Sequence, residues 1–186
     1  MQARIGDWIQ TYSGRQFFPL DPRVEDFALV DIASGLAKEC RYAGQCLEFY
    51  SVAEHSILMT LEAERLGFSL RDRRAALFHD GSEGIGLRDM ARPIKPMLSN
   101  YKTIESGIMI KIAAWADFDW PLPAHVKALD ERIGLTEEVQ IMSEKPAPWR
   151  TNFDAVDPLP VSLMLLSPRD AMARFIHEAN RLGVYA

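Results

Sequence analysis

The stretch Ala75-Ala76-Leu77-Phe78-His79-Asp80-Gly81-Ser82-Glu83 holds an adjacent histidine–aspartate pair inside an otherwise apolar run, with an acid one helical turn further on. Successive side chains on an α-helix diverge by about 100°. His79 and Asp80 can therefore grip one ion only where their helix faces a cleft and other helices bring further ligands. Ser69-Leu70-Arg71-Asp72 supplies the helix start, and Ala75, Ala76, Leu77 and Phe78 point inward. The spacing predicts one helix running to Gly84 or Gly86. On it Glu83 lies four residues after His79 and three after Asp80, hence on their face. Gly81 and Gly84 beside it would allow a ligand to come close. The Arg71–Arg74 run with Asp72 reads as a solvated helix start.

Upstream, Ser51-Val52-Ala53-Glu54 has the form of a capping box. A helix is expected from there through about Glu64, with His55 in its first turn. Before it, Phe27, Val30, Asp31, Ser34 and Ala37 recur at helical spacing within Val24–Cys40. Downstream, Pro93 and Pro96 make residues 86–99 irregular, and Tyr101–Trp115 is again periodic. Pro123 suits the start of a helix over Ala124–Met142, which carries Asp130. Residues 145–160 hold four prolines and read as a long loop over the domain, with Trp149 covering the core. Ser167-Pro168 opens a last helix over about 167–183. With no clear strand, the expectation is one all-α helical bundle spanning residues 1–186.

Composition narrows the function. The chain has 186 residues, 48% of them hydrophobic, enough for one substantial core. Its net charge of −5 argues against a nucleic-acid polymer or an anionic membrane as partner. No apolar run is long enough to span a bilayer, and the first residues lack the pattern of a signal peptide. The expected location is cytoplasmic, and Cys40 and Cys46 are expected as reduced thiols.

Two imidazoles (His55, His79) and two carboxylates (Asp80, Asp130) suit one divalent transition ion: Mn, Co, Fe, Ni or Zn, with Mg a further candidate. Such an ion would acidify water and neutralise charge on phosphorus. His125 is out of phase with Asp130 and reads as a surface residue, as does His177. Glu137, seven after Asp130, returns to the same helix face and could orient a ligand or a basic side chain.

Five ordered pieces carry a family resemblance: Arg41-Tyr42-Ala43-Gly44-Gln45, Tyr50-Ser51-Val52-Ala53-Glu54-His55, Leu77 to Glu83, Arg92-Pro93-Ile94-Lys95-Pro96, and Lys127-Ala128-Leu129-Asp130 with Glu137 beyond. Over about residues 20–142 the chain resembles the HD-domain metal-dependent phosphohydrolases. It is nearest their small nucleotide-acting branch, the 5′-deoxynucleotidases and dATP triphosphohydrolases. The resemblance implies an HD-domain bundle with metal on His55, His79, Asp80 and Asp130. It also implies Glu83 as acid/base and Arg41, Lys95 and Lys127 as phosphate contacts. The substrate implied is a small nucleotide, with a lean towards deoxynucleotides and either one or three phosphates; many relatives are homodimers. A two-metal oxygenase would need more histidines between His79 and His125, where none occurs. The remaining alternative is a non-catalytic sensor domain that binds metal or nucleotide.

Overall fold

The computed structural model describes residues 3–147 and 157–185. Trp149 and the middle of the proline-rich loop lie outside the described residues. The chain is an all-α bundle of seven helices among the described residues: α1 (Leu29–Lys38), α2 (Val52–Arg65), α3 (Leu70–Phe78), α4 (Gly81–Ile85), α5 (Tyr101–Ala116), α6 (Ala124–Ile141) and α7 (Pro168–Arg181). One small antiparallel ladder, β1 (Ile9–Gln10) with β2 (Gln16–Phe17), precedes them. Sequence reading did not anticipate it, because two-residue strands have no periodicity to detect.

α2 runs through the middle, against α1, α3, α6 and α7. Its residues Val52 to Thr60 are all buried, so the helix is enclosed on every side and its polar residues must find partners inside. Ser51 caps it as expected, accepting from the Glu54 backbone N–H at 3.1 Å. The other half of the expected capping box does not form. The Glu54 carboxylate instead accepts backbone N–H groups of Met164, Leu165 and Leu166 at 2.7, 2.8 and 2.7 Å. A buried carboxylate thus ties the segment before α7 to the start of α2, and Leu165 takes a positive φ of 51° in making the fit. Replacing Glu54 by Gln removes the charge and, because Oε1 takes two of the N–H groups and Oε2 the third, turns an amide N–H₂ towards at least one donor. The expected cost is about 3 kcal/mol, measured as a fall in the urea midpoint of chelator-treated protein at unchanged m-value; an unshifted midpoint would remove the clamp from the account.

The expected single helix from Ser69 to Gly84 is two helices. α3 ends at Phe78, and Asp80 leaves helical geometry at φ −102°, ψ 17° before α4 begins. α4 lies against α1 at backbone distance, since a Cβ on Gly35 would sit 1.7 Å from the Gly84 carbonyl oxygen and one on Gly84 would sit 2.6 Å from that of Ile32. Gly84 therefore admits a helix, not a ligand. A Cβ on Gly81 would meet the Ile112 side chain at 3.0 Å. The Arg71–Arg74 run is also more than a solvated start: Arg71 pairs with Asp117 and Asp119, and Arg74 donates to Asp117 and to the Leu182 carbonyl. These contacts fasten α3 to the turn after α5 and to the chain end.

Phe78 and Phe175 meet edge to face at 5.4 Å, packing α7 against the end of α3. The consequence for the site is positional. α2, the α3–α4 break and α6 are held around one point, and the loop before α2 closes beside it.

Candidate metal centre

His55 is fully buried and His79 nearly so. Each has its Nδ1 engaged by an acceptor: Glu137 Oε1 at 2.6 Å from His55, and the Ala76 carbonyl at 2.9 Å from His79. A carbonyl only accepts, so His79 Nδ1 carries the proton and its Nε2 is a lone pair in the neutral ring. The carboxylate of Glu137 imposes the same tautomer on His55. The two Nε2 atoms nevertheless face each other at 3.2 Å. Asp130 Oδ1 is 3.1 Å from His55 Nε2 and 3.9 Å from His79 Nε2, and Asp80 Oδ2 is 3.0 Å from His79 Nε2.

Four lone-pair atoms converging in this way repel one another unless something positive sits among them. Ligand atoms of His55, His79 and Asp130 all lie within 4.8 Å of one another, and this buried group could hold a metal ion. Two neutral imidazole nitrogens with carboxylate oxygens form the donor set of a borderline divalent ion. Without an ion, protons serve. Burial pulls His79 down, but the Asp80 and Asp130 carboxylates outweigh it and bring the ring to about 9. Burial pushes Asp130 up, and the two histidines pull it down to about 2; Asp80 falls for the same reasons, helped by Arg41.

The break at Asp80 resolves the difficulty posed by two adjacent candidate ligands. A continuous helix would splay the two side chains, whereas the non-helical backbone turns the Asp80 carboxylate back to within 3.0 Å of His79 Nε2. Asp80 and Asp130 keep 24% and 28% of their side-chain surface accessible while both histidines are sealed. The cluster thus has a closed imidazole floor and an open carboxylate side.

Glu137 is the hub beneath it. Besides His55, it accepts from Arg41 Nε at 3.0 Å and from the Tyr42 hydroxyl at 2.9 Å. Burial alone would raise this carboxyl, but Arg41 and His55 hold it below its ordinary value. Sequence placed Glu137 on the right face, and the structure gives it both suggested partners. The Gly134 carbonyl accepts from the Tyr42 hydroxyl at 3.2 Å.

Arg41 approaches the cluster, with Nη1 3.8 Å from Asp80 Oδ2. Lys95 reaches Glu83 Oε1 at 3.5 Å and Glu105 Oε1 at 3.0 Å. Glu83 is buried, and its Oε2 has no hydrogen-bond partner among the described residues. Burial, then the Asp80 and Asp89 charges, push Glu83 well above the usual carboxyl range. Lys127 is exposed on α6, and among the described residues no hydrogen bond or ion pair ties it to the cluster. His125 sits at the surface, paired with Asp72 at 3.2 Å, and His177 is exposed.

Sequence reading missed Tyr42 and Asp89. Tyr42 follows Arg41 directly, and the glycine two residues on marks a turn, so a signal for it existed. Asp89 lies in the irregular stretch after α4, where no spacing rule applies. It lines, with Arg41 and Tyr42, a cavity of about 350 Å³. Met90, Pro93, Leu135 and Met142 give that cavity apolar walls.

No family model matches the chain. It is similar to the uncharacterized protein YfdR of Escherichia coli K12, at 28% identity over 181 residues covering 95% of this chain and 96% of that one. It is also similar to the uncharacterized protein RCAP_rcc00048 of Rhodobacter capsulatus, at 32% identity over 180 residues covering 90% and 91% of the two chains.

Proposed function

We propose that this chain, which belongs to one family with the Rhodobacter capsulatus protein, is a metal-dependent phosphohydrolase of the HD-domain type acting on a small nucleotide. The observation that carries this reading is the convergence of His55 Nε2, His79 Nε2 and carboxylate oxygens of Asp80 and Asp130, with a buried, partly unpartnered acid and two cations around them. His55, His79, Asp80 and Asp130 would hold the ion. A bound divalent ion supplies Lewis acidity and neutralises charge at a phosphoryl group.

The protein's own groups do the rest. Glu137 fixes the His55 tautomer and, through the same carboxylate, aims Arg41 at the open side of the cluster. Arg41 and Lys95 stand where a phosphoryl group would meet cationic N–H donors. Glu83 keeps Oε2 free to hand a proton to a leaving oxygen or to take one from the attacking water. Met90, Pro93, Leu135 and Met142 offer an apolar recess for the group that carries the phosphate.

The charge pattern favours a substrate with one phosphate. Three acids, Asp89, Glu131 and Glu138, line the same cavity against two arginines, Arg41 and Arg92, and would oppose a second and third phosphate, while exposed Lys127 adds no cation to the cluster. The test is a panel of nucleoside mono-, di- and triphosphates, ribo and deoxy, with Mn, Co, Zn and Mg in turn. Inorganic phosphate released from monophosphates is the expected product. Intact triphosphate as product would reverse the phosphate count. Metal-loaded protein that hydrolyses none of the panel would overturn the nucleotide reading.

A further inference from the structure

The loop that delivers Arg41 also brings the chain's two cysteines together. Cys40 Sγ and Cys46 Sγ are 3.6 Å apart, and both residues are only partly buried. Cys40 is held in a short antiparallel bridge opposite Ser51, with Arg41 N–H donating to the Tyr50 carbonyl at 2.9 Å and Val52 N–H to that of Glu39 at 3.0 Å. Between the cysteines the backbone takes three consecutive positive φ values, 56° at Tyr42, 52° at Ala43 and 73° at Gly44. That conformation is unfavourable for Tyr and Ala, and it folds the chain so that residue 46 returns to residue 40. Just beyond, Leu47 N–H donates to the Ile141 carbonyl at 2.8 Å, pinning the far end of the loop to α6.

We propose that Cys40 and Cys46 are a reversible thiol–disulfide modification site that fastens the turn carrying Arg41. The sulfurs need to close by only about 1.5 Å to reach bonding distance. Cys46 is the point of entry, because Gln45 and Leu47 on either side are exposed while Cys40 lies in the bridge. The oxidant is a low-molecular-weight disulfide of the glutathione type. The Cys46 thiolate attacks one of its sulfurs, a mixed disulfide forms, and one small thiolate leaves. The Cys40 thiolate then attacks Cys46 Sγ, the Cys40–Cys46 bond forms, and the second small thiolate departs and takes up a proton. Two electrons pass from the protein dithiol to the small disulfide, which is reduced to two thiols. The ring so closed contains Arg41 to Gln45. It restricts the unfolded chain as well as the turn, so the oxidised protein melts at a higher temperature. Nothing in this chemistry depends on what the metal centre hydrolyses.

The full-length protein is equilibrated in buffers of graded reduced-to-oxidised glutathione, quenched with an alkylating agent, and digested with trypsin. Cleavage after Lys38, Arg41 and Arg65 leaves Glu39–Arg41 and Tyr42–Arg65 joined only if the disulfide has formed. The expected result is that joined pair, both thiols lost together, no retained glutathione, and a Tm that rises on oxidation and returns with dithiothreitol. Cys46→Ser is expected to show no redox-dependent Tm. Persistent glutathione on Cys46, a link between two chains, or two thiols still free in the most oxidising buffer would overturn the proposal. The peptide map on the unsubstituted protein gives this answer even if Cys46→Ser fails to fold.

Discussion

His79→Ala is expected to empty the proposed metal centre and abolish the proposed phosphate release together. Removing only the hydrogen-bond partner of a metal-bound histidine commonly costs about 10–100-fold in metal affinity, so removing the imidazole itself should cost more. The remaining donors are His55, held by Glu137, and two carboxylates on the exposed side of the cluster. Metal content after gel filtration, measured beside phosphate release, tests this directly. His79 is buried, and its loss could disturb packing against α2, so Asp80→Asn is the companion variant. Asp80 is partly exposed and lies between two helices, where the change leaves the core intact. A His79→Ala protein that retains one ion per chain and full turnover would show that the converging atoms are not the metal site.

Glu83→Gln separates chemistry from binding. Metal content is expected to stay at its unsubstituted level, while kcat falls by about 10²–10⁴-fold, the usual worth of a placed acid or base. Gln keeps the shape and can still meet Lys95, which also retains Glu105 at 3.0 Å; the loss is therefore of the ionisable proton alone. KM should move little. If metal and rate fall in parallel, Glu83 is a ligand or a structural support. If neither changes, its buried Oε2 serves no catalytic purpose.

The amino-acid pattern by itself determined the helical class and most helix starts. Ser51, Ser69 and Ser167 each cap the helix read from them, because capping is a local exchange between one side chain and a backbone N–H two or three residues on. Helical spacing likewise put Glu137 on the face of Asp130, since both lie on the one continuous helix α6. Tertiary structure decided whatever depended on a partner distant in the chain. Glu54 has the spacing of a capping box, yet three N–H groups more than a hundred residues away compete for its carboxylate and win. Spacing predicts one unbroken helix through His79 to Gly84 or Gly86; the break at Asp80 comes with the backbone contact of α4 on α1, which local propensity does not encode. The resemblance implies phosphate contacts for Arg41, Lys95 and Lys127 alike, but folding draws Arg41 and Lys95 towards the acids and leaves Lys127 exposed. Spacing along a chain fixes which side chains share a helix face; which faces meet, and so which charges gather at one point, is set by packing between helices far apart in sequence.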